Sequence, residues 1–94
     1  MFTYEKYLPL TAFNESSIFF KASEVFRYGF LIADMSEYEQ FSQLYSYHNY
    51  YIEIEFGDNY EEIVSIDGIS VNEALEKYTD SYALMDEILE LFIS

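Results

Sequence analysis

Between Tyr50 and Phe56 polar and apolar positions alternate, with Ile52, Ile54 and Phe56 on one face and Tyr51, Glu53 and Glu55 on the other. A period of two is the signature of a strand, because successive side chains leave a pleated backbone on opposite sides. Gly57-Asp58-Asn59 is turn chemistry, and Glu62 to Ile66 reads as the returning strand of a hairpin, closed by a second turn at Asp67-Gly68. A two-residue loop sets Glu55 opposite Glu62, whereas a five-residue loop pairs Ile52 and Ile54 with Ile66 and Val64. The second register avoids facing like charges and is preferred. Val25 to Asp34 alternates as well, Phe26, Tyr28, Phe30 and Ile32 against Arg27, Gly29 and Leu31, and is also predicted to be a strand.

Two segments read as helix. Ser36-Glu37-Tyr38-Glu39 has capping-box spacing, and Tyr38, Phe41, Leu44 and Tyr45 follow at helical intervals, which predicts a short helix from about Glu37 to Tyr47. Ser70-Val71-Asn72-Glu73 is a second capping box. It opens a segment in which Leu75, Tyr78, Tyr82, Met85, Leu89 and Phe92 recur at spacings of three and four. A continuous helix there is roughly 30 Å long, with an apolar seam on one face and Glu73, Glu76, Asp80, Glu87 and Glu90 on the other; Thr79-Asp80-Ser81 is where it can break. The seam serves either as core against the sheet or as a homodimer stripe. Met1 to Leu10 is an aromatic lead-in, and Asn14 to Ser17 turns the chain or caps a short helix. The expected fold is one α+β domain over residues 1–94, an antiparallel sheet of three or four strands packed against two helices, the long C-terminal one covering the sheet. The stretch Glu62 to Glu76, with Ile66-Asp67-Gly68-Ile69-Ser70 leading into a helix, resembles the strand-turn-helix piece of PDZ domains. It lacks a preceding carboxylate-binding glycine loop, and no function is carried across.

Composition changes the picture in two ways. At 51% hydrophobic and 21% aromatic residues the chain has the surface to offset chain entropy, which excludes low-hydrophobicity disorder. With 18 acids against four Lys and Arg, the formal charge is -14. That excludes direct binding of nucleic acid, which needs clustered cations, and disfavours an anionic membrane. There is no cysteine, hence neither a disulfide framework nor thiolate chemistry, and no basic segment followed by an apolar stretch at Met1; the expected location is cytoplasmic.

The charge is unevenly placed. Residues 1–27 balance Glu5, Glu15 and Glu24 against Lys6, Lys21 and Arg27, so the whole deficit lies in residues 28–94, where Lys77 is the only Lys or Arg. Solubility asks for a net charge of only about 2 to 8 on a small domain. Asp86, Glu87 and Glu90 occupy the last turns of the predicted helix, where its dipole favours cations. Asp86 with Glu90 and Glu76 with Asp80 are like-charge pairs four apart, each unfavourable by roughly 0.2 to 0.5 kcal/mol; only Glu73 with Lys77 is a favourable one. Duplex DNA carries one charge per about 1.7 Å, so fourteen charges match roughly 24 Å of phosphate backbone.

Catalysis has little to work with. His48 is the only histidine and sits among aromatics, there is no Gly-x-Ser-x-Gly elbow, and paired acids such as Glu53 with Glu55 or Glu61 with Glu62 lack a chain long enough to build a glycosidase cleft. Asp58-Asn59-Tyr60-Glu61-Glu62 lacks the spacing of a calcium loop, and neither cofactor nor metal is expected. Tyr45, Tyr47, Tyr50 and Tyr51 cluster in a stretch with no Asp, Glu, Lys or Arg between Glu39 and Glu53, which either packs a core or forms a contact patch. The leading expectation is a non-catalytic inhibitor that occupies the basic nucleic-acid-binding site of a partner enzyme or nuclease. Glu53, Glu55, Glu61, Glu62, Glu73, Glu76, Asp80, Asp86, Glu87 and Glu90 would make the contact, with Tyr47 and Tyr51 beside them. Anti-CRISPR, anti-restriction and nuclease-immunity proteins share that logic, which ranks a phage or mobile-element origin first by analogy. The alternative is an acidic accessory subunit that binds through its tyrosine patch and uses charge only for solubility.

Overall fold

A computed structural model describes residues 8–37, 40–57 and 60–78. The elements run α1 (Leu10–Asn14), α2 (Ile18–Tyr28), β1 (Phe30–Glu37), β2 (Gln40–Tyr47), β3 (Tyr50–Gly57), β4 (Glu62–Ile69) and α3 (Val71–Lys77). The strands form one antiparallel sheet in the order β1-β2-β3-β4, so the fold is α+β as expected. No described helix is long and apolar enough to cross a membrane.

The sheet has elements on both faces, and β3 records this directly: its first five residues, Tyr50 to Ile54, are all buried. On one face Tyr50, Ile52 and Ile54 pack with Phe13 of α1, Val25 of α2, Tyr47 and Ile66. The rings of Phe13, Tyr47 and Tyr50 meet with centroids 5.3 to 6.3 Å apart in tilted and edge-on geometry, arrangements that suit the ring quadrupole. On the other face Tyr51 packs with Leu44, Ile69 and, from the C-terminal side, Ala74 and Tyr78.

Helices α2 and α3 begin at serines whose side chains accept the amides that a helix start leaves unpaired. Ser17 accepts from the Phe20 amide, and Ser70 with Glu73 completes the predicted capping box. Helix α2 turns Ala22, Val25 and Tyr28 inward at helical spacing and stops at Gly29, where a β-carbon would lie 2.7 Å from the Val25 carbonyl oxygen. Glycine is required there by this close approach, its backbone being extended.

Several expectations are corrected. Val25 to Tyr28 is helical, and only Phe30 onward is strand. The predicted helix over Glu37 to Tyr47 is replaced by the end of β1 and the whole of β2, because β2 is half-buried or buried on both faces: Leu44 sits on one, Tyr45 and Tyr47 on the other. Asp67-Gly68 lies inside β4, which runs on to Ile69. The β3–β4 register is shifted by two residues from the predicted one: Ile54 pairs with Ile66 and Ile52 with Gly68, and a bulge at Glu55/Phe56 then brings Phe56 opposite Ile63. Three helices are described, and of the predicted long C-terminal helix α3 is the described part; the rest of its seam lies outside the described residues.

Candidate functional site

Among the described residues, the buried carboxylate and its hydrogen-bond network lie on the α3 side of the sheet. Strand alternation fixes it: Glu53 and Glu55 share a face of β3, and the antiparallel register sets Asp67 opposite Glu53 and Ser65 opposite Glu55. Across β2 the same rungs carry Leu44 and Ser42. Two carboxylates directly opposed, Glu53 and Asp67, repel each other, and α3 supplies the counter-ion. Lys77 Nζ donates to Glu53 Oε1 at 2.8 Å and Oε2 at 3.0 Å.

Glu53 is only 6% exposed, and a carboxylate so enclosed needs partners for its lone pairs. Tyr78 Oη supplies the next, donating to Glu53 Oε2 at 2.7 Å. Since that phenol has one proton and it goes to the carboxylate, the 3.0 Å contact between Ser42 Oγ and Tyr78 Oη has serine as donor. The resulting chain runs Ser42 to Tyr78 to Glu53, with Lys77 closing it from the half-exposed side. Burial pushes the Tyr78 phenol up, and its bond to the Glu53 carboxylate adds to the effect while the serine donor opposes it. The bond to Glu53 holds the Lys77 ammonium above its usual range against partial desolvation, and the charges of Glu53, Glu55 and Asp67 add to it. A cleft of about 150 Å³ opens beside this network, lined by Ser42, Glu53, Glu55 and Lys77 with Met35 and Phe56 on its walls.

The remaining predicted contact residues are dispersed. Glu55 is exposed and accepts from Ser65 Oγ at 3.0 Å. Glu61 and Glu62 are exposed at the far end of the β3–β4 hairpin, and Glu73 and Glu76 are exposed on α3. Asp80, Asp86, Glu87 and Glu90 lie outside the described residues. Tyr47 and Tyr51 do not form a surface patch: they are 1% and 2% exposed, on opposite faces of the sheet, and Glu53 likewise is an interior group. Tyr47 Oη donates to Glu24 at 2.6 Å and accepts from the Leu8 amide, while Tyr50 Oη donates to the Leu8 carbonyl. These tyrosines tie the segment ahead of α1 to the core. His48 stands in the exposed turn between β2 and β3 at φ 55°. Among the described residues no group of three or more His, Asp or Glu is placed to hold a metal ion.

Ser42, Asp67, Lys77 and Tyr78 are not among the contact residues the sequence predicts: Lys77 reads as the partner of Glu73, Tyr78 as part of the apolar seam and Asp67 as a turn. For Ser42 and Asp67 the signal is strand parity, which only the correct register reveals. A second feature also escaped: Phe19, Phe26 and Phe30 are 85%, 57% and 74% exposed, an unusual outlay of aromatic surface for a small domain. No family model, curated protein or solved structure matches this chain.

Proposed function

We propose that the chain is a non-catalytic inhibitor whose anionic side occupies the basic nucleic-acid-binding surface of a partner protein, in the cytoplasm. The observation that supports this is the sorting of charge across the sheet. Glu55 and Asp67 are exposed on the face of the sheet against which α3 packs, α3 itself carries the exposed Glu73 and Glu76, and the cation there, Lys77, is bound by the interior Glu53. The other two cations of the described residues, Lys21 and Arg27, belong to α2 on the opposite face. Glu15 at the end of α1, Glu24 of α2 and Asp34 of β1 lie on the opposite side with those two cations, so the negative charge is concentrated rather than fully segregated. Such a field accelerates encounter with a cationic surface and weakens as salt screens it.

The test is competition. A partner recovered with the tagged chain is assayed for duplex binding with and without the inhibitor across a salt series, alongside the triple charge reversal Glu55→Lys, Glu73→Lys and Glu76→Lys. Displacement of nucleic acid that fades with salt and is lost in the reversed chain supports the reading; full inhibition by the reversed chain refutes it. The accessory-subunit reading loses its tyrosine patch to the core but gains the exposed Phe19, Phe26 and Phe30, and predicts binding that salt barely changes.

A further inference from the structure

We propose that the outer edge of β1 is a docking edge at which an extended, cationic segment of another protein joins the sheet as a fifth strand. This goes beyond the acidic-face reading and does not rest on it.

The two edges of the sheet are finished differently. Tyr47 and Tyr50 flank a two-residue turn and are paired, so they close the β2–β3 ladder as a hydrogen-bonded pair. Alternation from there assigns the odd residues of β2 to β3 and the even ones to β1. On β1 the bonded partners are Phe30, Ala33, Met35 and Glu37, which leaves Leu31, Asp34 and Ser36 with backbone groups pointing away from the sheet, Ile32 being the extra residue of a bulge. The same arithmetic on β4 points Ile66 and Gly68 outward. There the groups are occupied: Lys21 Nζ donates to the Ile66 carbonyl at 2.9 Å, and Asn14 takes both the N–H and the carbonyl of Gly68. Side chains from α1 and α2 thus close the β4 edge as a neighbouring strand would. No such partner is recorded for the outer groups of β1 among the described residues, and its eight residues include no Lys, Arg or Pro of the kind that guards an edge.

The surroundings specify the occupant. Leu31 is 50% exposed at the start of the strand, and its cross-strand partner Tyr45 meets the exposed ring of Phe26. Leu31 and Asp34 pair with Tyr45 and Gln43, so they are successive side chains on the α2 face. A strand laid along this edge meets apolar surface at Leu31 and Phe26 and, two of its own residues away, the exposed carboxylate of Asp34. An apolar residue and a Lys or Arg at that spacing complement it, with main-chain bonds supplying the rest. A second copy fits poorly: β1 offers Asp34 no cation in any register, the register centred on Asp34 sets the two carboxylates face to face, and each chain carries -14.

The experiment titrates the full chain, isotopically labelled, with a blocked peptide of alternating threonine and valine carrying one central lysine, and with its glutamate twin. The expected result is amide shifts centred on Leu31, Asp34 and Ser36, with binding of the twin weaker by roughly tenfold or more. Asp34→Lys, an exposed substitution, should invert the preference. Shifts confined to α3 and the β3–β4 face, equal binding of the two peptides, or no binding overturn the proposal. So does a chain that is dimeric alone with its β1 amides protected from exchange, which identifies the occupant as a second copy.

Discussion

Asn14 holds Gly68 by both of its backbone groups, accepting from the N–H at 2.6 Å and donating to the carbonyl at 3.1 Å. One side chain therefore does for the β4 edge what a further strand would do, and it locks α1 to the sheet across 54 residues of chain. Asn14→Ala leaves a donor and an acceptor unmet and is expected to cost about 1 to 2 kcal/mol, read as a lower urea midpoint at unchanged slope. Gly68→Ala attacks the same junction from the other side. Its β-carbon would lie 2.5 Å from Leu10 Cδ1 and 3.2 to 3.3 Å from Tyr50 Cε2 and Asn14 Oδ1; the leucine tip has to swing aside, at about 1 kcal/mol. A Gly68→Ala chain more stable than wild type would show that Leu10 and Asn14 do not crowd this position.

The Glu53–Lys77 pair is asymmetric, the carboxylate interior and the ammonium half-exposed. Lys77→Met strands a buried carboxylate opposite Asp67 and should cost about 2 to 4 kcal/mol. Glu53→Gln keeps the acceptor for Tyr78, relieves the repulsion with Asp67, and should cost less. In the double variant Glu53→Gln, Lys77→Met most of the loss is recovered, giving a coupling of about 1 kcal/mol or more in a double-mutant cycle by chemical denaturation. Additive effects would show that Lys77 is not the counter-ion that makes this face tolerable.

Alkaline pH should unfold the protein early. Burial pushes the Tyr50 phenol up to about 12, with the Glu24 charge adding to it, and raises Tyr47 and Tyr78 in the same direction. Below pH 10 both folded and unfolded chains keep these protons, so the contribution is fully present. Between about 10 and 12 the unfolded chain releases a proton from Tyr50 that the folded one retains, so stability falls by about 1.4 kcal/mol per pH unit for each such group. Tyr50→Phe loses the bond to the Leu8 carbonyl at neutral pH but should flatten the decline above pH 10. Denaturation midpoints measured from pH 8 to 11, with tyrosinate absorbance alongside, check both.

The parts of this fold legible in the sequence are those with one dominant environment. β3 was read because Ile52, Ile54 and Phe56 alternate with Glu53 and Glu55, and the start of α3 because Ser70 and Glu73 meet only as a capping box does. β2 was hidden by burial on both sides: Phe41, Leu44 and Tyr45 are spaced like a helix face although they belong to two faces of a sheet. α2 was hidden because its exposed Phe26 mimics alternation with Phe30 across Gly29, while the true stripe is Ala22, Val25 and Tyr28. The hairpin register was misjudged on charge. Avoiding like pairs is a sound rule within a sheet, but the structure opposes Glu53 to Asp67 and brings in Lys77 from outside, a tertiary counter-ion that pairwise reasoning along two strands does not contain.

Phe13 and Phe19 are six positions apart and physically opposite, one fully buried between Tyr47 and Tyr50, the other 85% exposed on α2. Phe13→Ala opens a cavity in the larger core and should cost about 3 to 5 kcal/mol, most of the stability of a domain this size. Phe19→Lys removes no packing and should lie within about 0.5 kcal/mol of wild type. Its effect belongs to association instead. If α2 and the start of β1 form an apolar contact surface, Phe19→Lys and Phe26→Lys lower partner binding without moving the unfolding midpoint, and they raise the concentration at which the free protein aggregates. A Phe19→Lys chain that unfolds as readily as Phe13→Ala would place that ring in the core and remove α2 from the candidate surfaces.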